Sequence, residues 1–102
     1  MKLSSAFETF AKKAPDVNTA WMETVQKMDL ASASDKKTEG LAYIAVLAAV
    51  RLEIGLPFHV KMAKSNGATR EEIISSILVG LPAVGNAVIQ SLPIALSAFD
   101  EK

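Results

Sequence analysis

Hydrophobic residues recur along the first third of the chain at the three- and four-residue spacing of amphipathic helices. One stripe predicts a helix over about residues 5–13 and consists of Leu3, Phe7, Phe10 and Ala11. A second stripe predicts a helix over about residues 17–28 and consists of Val17, Trp21, Val25 and Met28. Pro15 separates the two helices, because the residue before a proline avoids helical geometry. We interpret Trp21, the only tryptophan, as an anchor of the core.

The third predicted helix, over about residues 35–54, is the central element of the pattern. It starts with charged residues, carries an unbroken apolar run from Leu41 to Val50, and regains charge at Arg51 and Glu53. Ser34 or Asp35 is suited to cap its first turn. A helix that is apolar on every side is a buried one, and in a chain this small we expect another subunit to cover part of it.

Turn signals divide the rest of the chain into shorter helices. Pro57 predicts the start of a helix over about residues 57–65, and Gly67 fits its left-handed exit. Thr69 and Glu72 form a capping box, which predicts a fifth helix from residue 70. A sixth helix is predicted over about residues 83–98, with a kink near Pro93. No segment alternates as a strand would, so the sequence predicts one all-helical domain of about six helices over residues 1–102.

The composition narrows the possible functions. Half of the 102 residues are hydrophobic and only 6% are aromatic, so aliphatic side chains must build the core. The net charge is zero, and the chain offers no basic patch for nucleic acid. The absence of cysteine excludes disulfides, thiol catalysis and thiolate metal sites, and it is compatible with a cytoplasmic location. One histidine with scattered carboxylates gives no metal-ligand cluster, and no glycine-rich loop predicts a cofactor phosphate site.

Residues 73–99 carry no charge over a length that could cross a bilayer. Against a membrane span stand Pro82, Gly85, Asn86 and Pro93, several of them in the middle of the segment. We therefore favour helices buried in a homo-oligomer, with a membrane-spanning helix as the alternative.

A block around the only histidine is the most informative motif. It consists of His59, Ala63 and the run Gly67-Ala68-Thr69-Arg70-Glu71-Glu72-Ile73. A long apolar helix leads to this block through Arg51 and Glu53, and Gly85 follows about a dozen residues later. In these features residues 35–99 resemble the carboxymuconolactone decarboxylase family, which includes the AhpD-like alkylhydroperoxidases. The resemblance implies a compact AhpD-like helical bundle that assembles as a trimer or a hexamer.

The same resemblance limits the chemistry. The peroxidase branch of the family uses two cysteines and an upstream glutamate, whose positions hold Leu52, Gly55 and Gly40 here. Because a thiolate is the attacking species in peroxide reduction, the sequence excludes cysteine-dependent peroxidase activity. The decarboxylase branch lacks the dithiol, and there the resemblance implies a histidine that donates and accepts a proton on a lactone acid. An imidazole titrates near neutral pH, which suits that role.

The candidate catalytic residues are His59, Arg51, Glu53 and, as a further candidate, Glu39. His59 is the acid and base, and Arg51 is the natural cation to recognise an acid substrate. Standing two residues apart, Arg51 and Glu53 would not share one face of a helix. Tyr43 could offer a hydroxyl to a cavity, but we interpret it as a core tyrosine with one hydrogen bond.

Two functions stay open at the level of sequence. One is a homo-oligomeric enzyme of the lyase type that uses His59 on a small lactone or carboxylic acid, without a metal or cofactor. The other is a non-catalytic oligomeric binding or scaffold protein of the same fold, which the missing cysteines and Gly40 favour. The sequence names neither the substrate nor the choice between trimer and hexamer.

Overall fold

The computed structural model describes residues 3–102, and every regular element within that range is helical, which confirms the all-α prediction. The α-helices are α1 (Ser5–Lys13), α2 (Pro15–Ala31), α3 (Lys36–Ala49), α4 (Leu56–Ser65), α5 (Arg70–Leu78), α6 (Leu81–Val84) and α7 (Leu92–Asp100). Short 3₁₀ helices precede α4 at Glu53–Gly55 and α7 at Gly85–Ser91.

The helix starts follow the local signals in the sequence. Asp35 caps α3 by accepting a hydrogen bond from the Thr38 backbone N–H at 2.7 Å. At α5, the Thr69 hydroxyl accepts from the Glu72 N–H at 3.1 Å and the Glu72 carboxylate accepts from the Thr69 N–H at 2.9 Å. Each bond satisfies a backbone donor that the first turn of a helix leaves free. Both predicted caps are therefore confirmed.

The core is an aliphatic cluster at the centre of the α3–α4–α5–α7 assembly. Its largest members have no exposed surface and are Ile44, Leu56, Val60, Ile73, Ile77 and Val88. Helix α3 contacts α4 and α5, and α7 closes the assembly by packing on the same two helices. Burying side chains of this size stabilises the fold by about 1.5–3 kcal/mol each.

Helix α3 is buried on one side only, although the sequence predicts a helix that is covered all round. Ile44, Leu47 and Ala48 face the core. Tyr43, Val46 and Val50 lie on the other side and remain exposed. The described chain therefore presents an apolar α3 face that its own helices do not cover.

The first two helices contribute no buried residue to the core. The stripe of Val17, Trp21, Val25 and Met28, called here the α2 stripe, is exposed along its length. Trp21 is 52% exposed, so its interpretation as a core anchor is wrong for the single chain. An amphipathic pattern indicates that a helix has an apolar face, but it does not indicate which surface covers that face.

The predicted sixth helix over residues 83–98 is also wrong. Helix α6 ends at Val84, because the next residue, Gly85, has a φ of 77°, which lies outside helical geometry. A 3₁₀ helix then leads to α7. Pro93 occupies the first turn of α7, where a proline N–H is not needed, instead of kinking a longer helix. Within residues 3–102, the segment 70–100 has the length and composition to cross a membrane, but it folds as four helical pieces.

Helix α3 ends five residues earlier than the predicted Ile54, because the chain turns into a left-handed conformation at Arg51. The Leu52 N–H donates to the Leu47 carbonyl at 2.9 Å, and the Arg51 N–H donates to the Ala48 carbonyl at 3.4 Å. This pair of bonds is a Schellman motif, in which glycine usually occupies the left-handed position. Here that position holds an arginine with φ 62°.

Helix α4 ends in the same motif with the usual residue. The Ala68 N–H donates to the Ala63 carbonyl and the Gly67 N–H donates to the Lys64 carbonyl, both at 3.0 Å. Gly67 takes φ 98°, as the sequence predicts. The chain thus contains two equivalent turns, one built on glycine and one on arginine.

At both turns, the protein should be more stable with glycine than with alanine at the left-handed position. We expect Arg51→Gly to be more stable than Arg51→Ala by about 1 kcal/mol, because only the alanine keeps a Cβ in the left-handed region while both lose the arginine side chain. At the second turn, Gly67→Ala should lose a similar amount relative to the wild type. Urea unfolding of the three variants measures the differences. Equal stability of the glycine and alanine variants at residue 51 would contradict a strained turn.

Candidate functional site

Helices α3 and α4 lie side by side in antiparallel register, and this register positions the candidate site. A Cβ added to Gly40 would lie 3.5 Å from the Cβ of Ala63, near one end of the pair. Near the other end, a Cβ added to Gly55 would lie 3.4 Å from the side chain of Leu47. Tyr43 and His59 meet between these two contacts. The turn at residues 50–55 therefore folds α4 back along α3.

His59 lies against α3 with one face of its ring covered. The Tyr43 ring stacks on the imidazole at a centroid distance of 4.2 Å and an interplanar angle of 29°. The Phe58 ring stands nearly perpendicular to the imidazole, at a centroid distance of 5.2 Å and an interplanar angle of 78°. The prediction that Tyr43 is a core tyrosine is wrong, since its side chain is half-exposed and its ring covers the histidine.

Burial lowers the pKa of His59 below its ordinary value of 6.5. Desolvation disfavours the imidazolium, and within residues 3–102 no charged neighbour or hydrogen bond opposes that effect. The ring is therefore neutral at neutral pH. A neutral imidazole with a free ring nitrogen can accept a proton, which is the state that a general base requires.

Of the two positions that hold cysteines in the peroxidase branch, one lies next to this histidine. A Cβ on Gly55 would lie 3.9 Å from Cδ2 of His59, so that position faces the imidazole directly. Leu52, the other position, is exposed. The arrangement keeps the histidine and the space next to it, and it has no sulfur nucleophile.

Arg51 and Glu53 form an ion pair in the turn between α3 and α4. Arg51 Nε lies 2.6 Å from Oε1 of Glu53, and the Arg51 side chain is 44% exposed. The sequence argument that these residues cannot share a helix face does not apply, because α3 has already ended before them. The pair lies in the turn that leads from α3 into the helix carrying His59.

Glu39, the further candidate, has its contacts at the far end of α3. The hydrogen-bonded Lys36 ammonium lowers the pKa of the Asp29 carboxyl, and Glu39 lies close to this pair. Asp29 belongs to the last turn of α2. These contacts make Glu39 part of the α2–α3 junction, on the turn of α3 before Tyr43.

Two surface depressions of the single chain lie elsewhere. One of about 390 Å³ is lined by Pro57, Pro93, Ile94, Ser97, Ala98 and Glu101. Another of about 290 Å³ adjoins it and includes Phe58 and Lys61. His59 lines neither of them. The imidazole lies instead beside the exposed α3 face of Tyr43, Val46 and Val50.

The sequence profile of the carboxymuconolactone decarboxylase family matches residues 15–97 of this chain. Among solved structures, the chain is similar to a carboxymuconolactone decarboxylase family protein from Legionella pneumophila, solved in its apo form. The two share 26% identity and superpose with a TM-score of 0.80 over 94% of this chain and 86% of that one. A sequence comparison with curated proteins found no match.

Proposed function

The chain belongs to the carboxymuconolactone decarboxylase family, and on that premise we propose that His59 performs acid–base chemistry on a small lactone or carboxylic acid. The observation that carries this proposal is a half-buried, neutral imidazole with one ring face covered by Tyr43. The reaction is of the lyase type and uses no thiol, because the chain has no cysteine. Proton transfer by one positioned imidazole contributes about 10²–10⁴-fold to a rate.

Arg51 is the proposed contact for the acid group of the substrate. Among the described residues, its ion pair with Glu53 is made through Nε, which leaves the terminal guanidinium nitrogens for a carboxylate. Glu53 then acts by holding the guanidinium in place. The left-handed backbone at Arg51 supports this role, because non-glycine residues kept in that conformation cluster at functional sites.

We propose further that a homo-oligomer, a trimer or a hexamer, completes the site. The uncovered α3 face borders His59, and the α2 stripe is a second uncovered apolar surface of the same chain. A chain of zero net charge carries no overall repulsion between copies. Association between copies would also explain why segment 70–100 is apolar, without requiring that it cross a membrane. A cytoplasmic location goes with this proposal, since the cysteine-free chain makes no use of an oxidising compartment.

A second candidate function is a non-catalytic oligomeric binding or scaffold protein. It is favoured by one observation: within residues 3–102 no carboxylate orients or charges His59, and the family's glutamate position is Gly40. In this alternative His59 only packs against Tyr43. Its replacement would then change stability or assembly and no reaction.

A thermal-shift screen of the wild type and His59→Ala separates the two candidates. The probes are small γ-lactone acids, oxo-acids and dicarboxylates, each with an uncharged ester as its matched control. We expect one acid class to raise the melting temperature of the wild type only, because a ligand at 100 times its Kd stabilises the native state by about 2.7 kcal/mol. If no probe moves the wild type and His59→Ala is merely less stable, the non-catalytic candidate is favoured.

A further inference from the structure

A histidine that transfers protons must be held in one orientation, and a hydrogen bond to its second ring nitrogen usually does this. Within residues 3–102, no such bond reaches His59, and burial is the only cause of its lowered pKa. The ring would otherwise be free to turn about its last side-chain torsion, which has broad minima. Something other than a hydrogen bond must therefore fix the imidazole.

Tyr43 meets that requirement by its place in the helix pair. Its ring lies nearly parallel to the imidazole at 4.2 Å, a stacking contact that turning the imidazole would break. Gly55 lies close to the imidazole on its own helix pair, since a Cβ added there would be in ordinary van der Waals contact with Cδ2 of His59, at 3.9 Å.

We infer that Tyr43 is the positioning residue of His59, and that its ring sets the imidazole orientation in place of the usual hydrogen bond. This inference rests on the proposed function for its catalytic consequence, but not for its structural one. Tyr43 is half-exposed, so the stack is not needed to fill the core. The aromatic ring is the feature that matters, and the hydroxyl is not.

The test uses the fact that His59 is the only histidine, which makes its ring signals unambiguous in an aromatic NMR spectrum. In the wild type we expect upfield-shifted imidazole protons and a cross-peak between Hδ2 of His59 and the Hα protons of Gly55. Tyr43→Phe should keep both signals. Tyr43→Leu should lose the upfield shift and weaken the cross-peak, and Tyr43→Gln provides a second variant without a ring.

The catalytic arm measures kcat and KM on a lactone acid that the wild type turns over. Tyr43→Leu should lower kcat by about 10- to 100-fold, as expected for a misplaced catalytic group. Tyr43→Phe should keep the kcat of the wild type. Unchanged NMR signals in both ringless variants would overturn the inference, and so would a Tyr43→Phe variant that behaves like Tyr43→Leu. If the NMR results are as expected but His59→Ala still turns over substrate, the proposed function fails and the positioning role stands.

Discussion

Replacing His59 with glutamine is expected to lower kcat/KM on a lactone acid by about 10²–10⁴-fold, the range that one general acid or base contributes. Glutamine keeps a polar side chain of similar length at this helical position but has no group that takes up a proton near neutral pH. Because the effect should fall on the transition state, we expect kcat to decrease more than KM increases. Steady-state kinetics on the purified variant measures both constants.

The direction in which kcat/KM changes with pH tests the same assignment. Burial lowers the pKa of His59, so a general-base mechanism predicts that kcat/KM of the wild type rises with pH below 6.5 and then becomes constant. A rate that falls with pH over that range would instead identify the imidazolium as the acid. His59→Gln should remove this dependence. Full activity in His59→Gln, with unchanged melting temperature and mass, would contradict the catalytic assignment.

The helix starts could be predicted from the sequence because their signals are local. The Asp35 cap and the Thr69–Glu72 box each involve residues three positions apart, so the chain itself carries the information. The early end of α3 could not be predicted, since a left-handed turn is normally marked by glycine and this one holds Arg51. The same pattern with Gly67 was predicted correctly.

The candidate site, too, could be predicted from the sequence only in part. The motif in the sequence identifies His59, and its helix follows from Pro57 and Gly67. The stack with Tyr43 is a tertiary contact between two helices, which no short motif records. One signal was available: Tyr43 and His59 are equally distant in sequence from Arg51, so a tight antiparallel turn there brings them together. The prediction of a longer α3 concealed that symmetry.

The second large effect is expected in the assembly. Trp21 lies in the middle of the α2 stripe and is 52% exposed in the single chain, although a side chain of this kind is usually well buried. If another copy covers this stripe, Trp21→Glu places an unpaired charge in an apolar interface, at a cost of several kcal/mol per subunit. We therefore expect a wild-type mass of three or six chains and a monomeric Trp21→Glu, measured by sedimentation velocity at the same concentration.

Thr19→Glu supplies the matched control for that experiment. It adds the same charge to the same helix, but Thr19 is exposed and lies on the opposite side of α2 from the stripe. This variant should keep the wild-type mass.

If Trp21→Glu also keeps it, the α2 stripe is not an interface between copies, and a monomeric wild type would refute the oligomer itself. If Trp21→Glu is monomeric and also inactive, while Thr19→Glu retains both mass and turnover, the catalytic arrangement around His59 requires the neighbouring copy. That result would explain why the imidazole of the single chain lies beside an open apolar face and lines neither surface depression.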